Sequence, residues 1–371
     1  MPRKTLAEMA NAIAAILPCL GEASRMRPLS IGIPKVFLPF CGRPLIEYTL
    51  EQVSRQGIRT VVLITGLSDE LAEGYVPWGR ERGLRVIIAK RGLEFGSGGV
   101  VRQVVASVSE LDRFNDFLVV YPDSVLSINF SRMAKIHTAR KDVGCLVTVC
   151  YHKPEDLIST EQKKSSYGVL LSNGEGRIVN FAEKPLVTEV TEHHFANTGA
   201  LILDRGAFRL FPKRRSLDFS RDVLQFLAFG ARSPVFGFDI GSGFRYDVGT
   251  MTDYVSKQFE VLSGNLKVSG VPVRLIHGQG ALRCGGTVVG KVLVGRGSSF
   301  ASGVRFDGLN IVGRNVRVGV RSTIRDSVIL DNTIIGSDVE IRGSVIGESC
   351  VIGKGVVFQK GTVLGGFSTI S

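Results

Sequence analysis

The chain has 371 residues, 44% of them hydrophobic and 22% charged, with a formal net charge of +12. That is long enough for two domains with sizeable cores, and no apolar run approaches the ~18 residues a membrane-spanning helix needs. The basic balance favours anionic partners such as nucleic acid, acidic lipid or phosphorylated small molecules. The basic residues are scattered, however: KPEDLISTEQKK mixes signs, FPKRRS is the one tight cluster, and no stacking-aromatic pattern supports nucleic acid.

Near the start, Arg3 and Lys4 precede a short apolar stretch, a faint signal-peptide pattern. Glu8 and Asn11 interrupt it and it runs into a core strand, so the expectation is a cytoplasmic protein. The six cysteines (Cys19, Cys41, Cys145, Cys150, Cys284 and Cys350) lack CxxC spacing and sit mostly in apolar contexts. Reduced, buried thiols are expected in place of disulfides or zinc.

The aliphatic run Ile13 to Leu17 leads into LPCLGEASRMRPLS, the shape of a strand feeding a phosphate-binding turn. Such turns usually carry several glycines so that backbone N–H groups can approach phosphate oxygens; here only Gly21 remains. Arg25 and Lys35 follow, one able to hold a phosphate bidentately and the other a compact mobile charge. Pro28, Pro34, Pro39 and Pro44 predict a rigid extended segment that would position Lys35.

Next, PLIEYTLEQVSRQG reads as helix, RTVVLITG and LRVIIAK as strands, and DFLVVYPDS and GCLVTVCYH as buried strands. This βα rhythm over residues 12 to about 260 predicts a mostly parallel sheet with helices on both faces. Ligands of such sheets bind outside the carboxyl ends of the strands. Asp123, after LVVYP, and Asp247, in FRYDVGT, stand where they either cap the next element or, as a pair, hold Mg²⁺ together with substrate phosphates.

After about residue 284 helical periodicity vanishes. Steps of six from Val294 land on Phe300, Phe306, Val312, Val318, Ile324 and Leu330. The phase slips by one at Ile335, continues to Ile341, slips again at Ile346, and runs through Ile352, Phe358 and Leu364. Small or β-branched residues follow four places on, among them Ser298, Val304, Val316, Ser322 and Val339. A six-residue period means one short strand per repeat and three to a coil, a left-handed parallel β-helix. Acyl transfer on such a coil needs a general base, and the last histidine, His277, precedes the clear repeats. The expectation is therefore a structural, oligomer-forming half, since stacked coils leave open ends and flat faces.

The ordered set GEASRMRPLS, IPKVFLPFCGRPLIEY, LVVYPDS, YGVLLSNGEGRIVNFAEKP, NTG and FRYDVGT, before a hexapeptide β-helix, closely resembles the sugar-1-phosphate nucleotidyltransferase family. The likeness is to its long form, which includes GDP-mannose pyrophosphorylases and some glucose-1-phosphate thymidylyltransferases. It implies a Rossmann-like α/β catalytic domain (1–261) with a mixed, mostly parallel sheet, a connector (262–283) and a left-handed β-helix (284–371).

It also implies an enzyme that makes an NDP-sugar and pyrophosphate from an NTP and a sugar 1-phosphate with Mg²⁺. By this resemblance Arg25 contacts the triphosphate, Lys35 neutralises charge near the α-phosphate, and Asp123 and Asp247 bind the metal. Gly21 and Ser24 belong to the nucleotide loop, and Gly96, Ser97 and Gly98 lie against the base. Glu183 and Lys184 hold the sugar hydroxyls and sugar phosphate, with Gly168, Asn197 and Thr198 beside the sugar. The FGSGG turn looks more like that of guanylyltransferases than of thymidylyltransferases, so a mannose-1-phosphate guanylyltransferase-like activity is expected. Glucose-1-phosphate thymidylyl- or uridylyltransfer is the alternative.

The family signature departs at Leu20 and Ala23, which replace glycines, and at Pro122, which replaces the glycine before the first aspartate. Leu20 could obstruct approach to a nucleotide, and these changes suit a second reading, a non-catalytic homologue that senses a nucleotide-sugar. Retention of Arg25, Lys35, Asp123 and Asp247 favours the enzyme, since charged groups dominate phosphoryl transfer.

Overall fold

The computed structural model describes residues 12–21, 23–66, 69–153, 167–191, 193–229, 233–269, 271, 274–277, 280–282 and 286–371. Arg3, Lys4, Glu8, Asn11, Cys284 and all of KPEDLISTEQKK after Lys153 lie outside the described residues, as do Gly270, Gly278 and Arg283 of the expected connector. By internal contacts the chain forms two compact units. The first comprises residues 1–20, 49–122 and 126–245; the second comprises 21–48, 123–125 and 246–371.

The first unit is built on a mixed sheet. Its strands are β1 (Ile13–Pro18), β2 (Thr60–Thr65), β3 (Arg85–Lys90), β4 (Asp116–Val120), β5 (Val147–His152), β6 (Gly168–Ser172), β7 (Ile178–Glu183), β8 (His194–Asp204) and β9 (Val235–Asp239). The order is β7-β6-β8-β4-β1-β2-β3, with β5 also paired to β8 and β9 to β5. The run β4-β1-β2-β3 is parallel, and β8 is antiparallel to β4, β5 and β6. Every residue of β1 and β2 is buried, as expected for strands covered on both faces. Ala14, Ile16, Val62, Ile64 and Val119 of the sheet share one apolar cluster with Val100, Val101, Val104 and Val105 of the helix Gly96–Ser107. Lys141 ties the start of β4 to the end of β8, reaching Asp116 at 2.6 Å and Asp204 at 2.8 Å.

In the second unit the helix Met251–Ser263 opens on a reciprocal capping box between Thr250 and Asp253 and closes on Gly264 in the left-handed region. The helix anchors the proline-rich segment: Gln258 accepts from the Cys41 N–H at 2.8 Å, and the Tyr254 hydroxyl donates to the Pro39 carbonyl. All five described cysteines are free and buried, and burial pushes the thiols of Cys19, Cys41 and Cys150 well above their ordinary pKa. These are packing residues.

Residues 286–371 form the β-helix. One row of parallel strands stacks Phe300, Val318, Ile335 and Ile352 inward, a second stacks Phe306, Ile324, Ile341 and Phe358, and a third stacks Val312, Ile329, Ile346 and Leu364. These residues share one apolar cluster, completed at the corners by Val304, Val316 and Val339. The expected inward step at Leu330 falls instead on Ile329, so the first five-residue step runs from Ile324 to Ile329. The second runs from Ile341 to Ile346, as expected, and both occur at the same corner of the coil. Serine and threonine hydroxyls staple the other two corners: Ser322 donates to the Gly336 carbonyl at one and Thr333 to the Gly347 carbonyl at the other, each at 2.8 Å. The backbone of His277 lies in the strand Arg274–His277, antiparallel to Gly286–Val294 and ahead of the coils.

Candidate functional site

The glycine-poor turn begins where β1 ends. Cys19 N–H still donates to the Ile64 carbonyl at 2.8 Å, and the Leu20 side chain packs on the sheet's apolar cluster beside Gly66. The bulk that replaces the first signature glycine is thus taken up by the core of the first unit. In the second unit, Gly21 has φ 140° and Ala23 has φ 44°. A short 3₁₀ turn, Ser24–Met26, follows.

The Ala23 carbonyl closes this turn, accepting from Met26 N–H and from the Ser30 hydroxyl, both at 2.8 Å. Met26 and Leu29 are buried while Ser24 and Arg25 are exposed, so the turn is pinned from beneath and presents its polar groups outward. The cost of turn geometry falls on Ala23, whose Cβ is strained in the left-handed region. Ala23→Gly is expected to raise stability by up to about 1 kcal/mol, part of the relief being offset by the freer unfolded chain. A urea-unfolding midpoint that falls would contradict this.

Lys35 sits at the head of a second 3₁₀ turn, Lys35–Phe37. Pro34 sets its entry, Phe37 N–H donates to the Pro34 carbonyl at 2.9 Å, and Leu38 N–H to the Lys35 carbonyl at 3.0 Å. Burial of Val36 and Phe37 fixes the backbone, which is the rigidity the prolines predicted. Asp123 precedes the short strand Ser124–Ser127, and this strand pairs with Phe244–Asp247 in a two-stranded sheet.

That pairing brings the two aspartates to one ammonium. Lys35 Nζ lies 3.2 Å from Asp123 Oδ2 and 3.7 Å from Asp247 Oδ1. The lysine side chain is only 12% exposed, whereas the carboxylates are 44% and 45% exposed. Ser124 hydroxyl donates to the other Asp123 oxygen at 3.3 Å. A methyl group on Gly249 would stand 3.3 Å from Asp247 Oδ2 and 3.5 Å from Arg25 Nη2. Arg25, Lys35, Asp123 and Asp247 therefore border one space within the second unit.

The remaining predicted residues lie in the first unit. Gly168 and Glu183 are register partners across β6 and β7, and a Cβ on Gly168 would come within 2.6 Å of Glu183 Oε2. The carboxylate lies over the glycine, which explains the glycine. Burial raises the Glu183 carboxyl above its ordinary pKa; Lys184 and a Ser220 hydrogen bond oppose this, and Asp218 adds to it. Lys184 itself adopts φ 48°. The register of β8 against β5 shifts between Asn197 and Leu201, with Thr198 inside the shift: Asn197 Oδ1 accepts from Gly199 N–H at 3.0 Å, and the Thr198 hydroxyl, on a buried residue, donates to the Cys150 carbonyl at 3.2 Å.

Gly96, Ser97 and Gly98 open their helix against Leu217 to Phe219. Gly98 N–H donates to the Leu217 carbonyl at 2.7 Å, and Ser97 Oγ accepts from Phe219 N–H at 2.8 Å. Asp218 and Ser220 thus stand beside both the GSG turn and Glu183, and the sequence reading missed them. The signal was present: SLDFSRD carries an N-cap aspartate, and Asp218 does accept from Arg221 N–H.

A family model described as nucleotidyl transferase matches residues 14–264. The chain belongs to the nucleotidyl transferase family. A second model, the GMPPB C-terminal domain, matches residues 288–371. Among relatives of this nucleotidyl transferase, the mannose-1-phosphate guanylyltransferase of Mycobacterium tuberculosis is 26% identical over 80% of this chain and 79% of its own. The UTP–glucose-1-phosphate uridylyltransferase of a Synechocystis species is 23% identical over 93% of this chain and 90% of its own. The mannose-1-phosphate guanylyltransferase catalytic subunit beta of Drosophila melanogaster is 25% identical over 96% of this chain and 89% of its own. Each residue of both clusters falls inside the nucleotidyl transferase match.

Proposed function

We propose that the protein joins an NTP to a sugar 1-phosphate, releasing pyrophosphate, with GTP and mannose 1-phosphate as the preferred pair. The observation that carries the reading is the Lys35 ammonium flanked by Asp123 and Asp247 with Arg25 alongside. Most of the relatives named are guanylyltransferases. The uridylyltransferase, similar over nearly the full length, supports UTP with glucose 1-phosphate as the second reading.

In the reaction a phosphate oxygen of the sugar 1-phosphate attacks the α-phosphorus in line, one P–O bond forms, and the bond to the departing pyrophosphate breaks. The protein positions groups and balances charge. Arg25 takes the β- and γ-phosphates, its guanidinium matching two oxygens at once. Lys35 meets the charge that grows at the α-phosphate. Glu183 accepts hydrogen bonds from sugar hydroxyls and Lys184 pairs with the sugar phosphate, with Gly168, Asn197 and Thr198 beside the sugar. Gly21 and Ser24 line the triphosphate turn, and Gly96, Ser97 and Gly98 the base.

The donor set fits Mg²⁺: two half-exposed carboxylates bracket one cation position. Mg²⁺ favours such sites, completing its shell with water and phosphate oxygens. Asp123 and Asp247 would hold the ion, which supplies positive charge to the phosphates.

We place the catalytic domain at 1–261, the connector at 262–283 and the β-helix at 284–371, in keeping with the two family matches. No helix among the described residues is long and apolar enough to cross a membrane, and we assign the protein to the cytoplasm. The outward aliphatic side chains of Ile334 and Val351, neighbours on adjacent coils, support homo-oligomerisation through the β-helix.

The test is pyrophosphate release across a matrix of NTPs and sugar 1-phosphates with Mg²⁺. GTP with mannose 1-phosphate is expected to give the highest kcat/KM. Silence across the matrix together with nucleotide-sugar binding would replace the enzyme by a sensor. A pH prediction follows from Glu183. Because burial raises its pKa, the carboxylate form is lost at a higher pH than for an ordinary glutamate. KM for the sugar 1-phosphate is expected to rise as pH falls through the weakly acidic range, and Glu183→Gln is expected to remove that rise.

A further inference from the structure

We infer that Lys35 is the resident counter-ion of the metal position, and that it couples divalent-cation binding to nucleotide binding. The inference rests on the nucleotidyl-transfer reading and names how its site is regulated. Its basis is that one ammonium does two jobs that cannot be done at once. Nζ is within ion-pair distance of both carboxylates, 3.2 Å from Asp123 and 3.7 Å from Asp247. It therefore occupies the electrostatic position a divalent cation would take, and a second cation entering there would meet both its charge and its volume.

The lysine is built to leave. Its backbone is held by the Pro34 and Lys35 carbonyl bonds and by buried Val36 and Phe37, while the charge sits on a four-carbon stem with rotatable donors. A swing of the side chain moves the ammonium without disturbing the turn. The carboxylates are nearly half exposed, within reach of a cation arriving from solvent.

An arriving triphosphate provides the reason to swing. It offers the ammonium a more highly charged partner, and it brings oxygen ligands that complete a cation's shell alongside Asp123 and Asp247. Metal and nucleotide thus bind with positive coupling, and by linkage each raises the other's affinity by the same factor. In the resting protein Lys35 offsets one of the pair's two negative charges and keeps the cation affinity low.

The experiment measures Mn²⁺ binding to the full chain without nucleotide, by the electron paramagnetic resonance signal of free Mn²⁺, and then with GTP. Lys35→Met removes the ammonium and keeps the stem. It is expected to bind Mn²⁺ about tenfold more tightly than wild type in the absence of nucleotide, with the enhancement by GTP reduced by a similar factor. Lys35→Arg keeps a cation and is expected to bind as weakly as wild type, which guards against a general effect of mutating the turn. Adding Asp123→Asn to Lys35→Met is expected to abolish the gain.

Equal Mn²⁺ affinity in wild type and Lys35→Met, with binding lost on Asp123→Asn, would overturn this inference and leave the metal-dependent reading standing. Mn²⁺ binding indifferent to both Asp123→Asn and Asp247→Asn would overturn that reading and this inference with it.

Discussion

Asp123→Asn is expected to lower kcat for pyrophosphate release by roughly 10²–10³-fold, because the ion it would help hold supplies charge to the phosphates and losing one preorganised electrostatic group costs about that much. The substitution keeps the shape and removes the charge. Lys35 is left with Asp247 alone, at 3.7 Å. Asp123 is half exposed and Lys35, though only 12% exposed, keeps Asp247 as a partner, so the fold is expected to lose little. The mutant protein is therefore expected to unfold near the wild-type midpoint while turning over far more slowly. KM for the sugar 1-phosphate should change little, because the groups assigned to the sugar lie elsewhere in the sequence. A folded Asp123→Asn protein with near wild-type turnover would sink the assignment of this aspartate and of the pair it belongs to.

The architecture was readable because periodicity carries it. The βα rhythm placed β1 to β5, and the six-residue period placed the coils. The period failed at one point, and the reason is local. Ile329 and Leu330 are both apolar and both buried, so a stepping rule cannot tell which faces the stack. The deciding fact is the pairing of Val312 with Ile329 in the next coil, a contact 17 residues away that no local pattern encodes.

The site divides in the same way. Arg25 and Lys35 were legible from chemistry and prolines, since a charged group on a stiff segment is a local property. That Asp123 and Asp247 share one ammonium was not legible, because it depends on pairing two short strands more than a hundred residues apart. The absence of glycine at Leu20 and Ala23 suggested a damaged turn. The structure shows how the turn is made without them: Leu20 is absorbed into the core, and Ala23 carries the left-handed conformation itself. The bulk of Leu20 is thus taken up by the core, the backbone strain stays on Ala23, and Ser24 and Arg25 remain exposed.

Gly96→Ala separates two explanations for the GSG run. The resemblance assigned these glycines to the nucleobase, yet the protein's own backbone already demands one of them. Gly96 has φ 65°, and a Cβ there would stand 2.5 Å from the Leu217 carbonyl oxygen and 2.8 Å from its carbon. That carbonyl accepts from the N–H groups of Gly98 at 2.7 Å and Gly99 at 3.3 Å, donors that the first turn of a helix leaves without an internal partner. Leu217 N–H in turn donates to the Phe95 carbonyl at 2.9 Å. A methyl group must push Leu217 away and break this exchange, and it must also sit in the left-handed region. The two effects together are expected to cost about 3 kcal/mol, seen as a large fall in the urea-unfolding midpoint. Ser97→Ala, which loses one hydroxyl bond to Phe219 N–H, is expected to cost only about 1 kcal/mol. If Gly96 were glycine solely to admit a base, Gly96→Ala would raise KM for the nucleotide at an unchanged midpoint. The close approach of Leu217 requires the midpoint to move whichever base is bound.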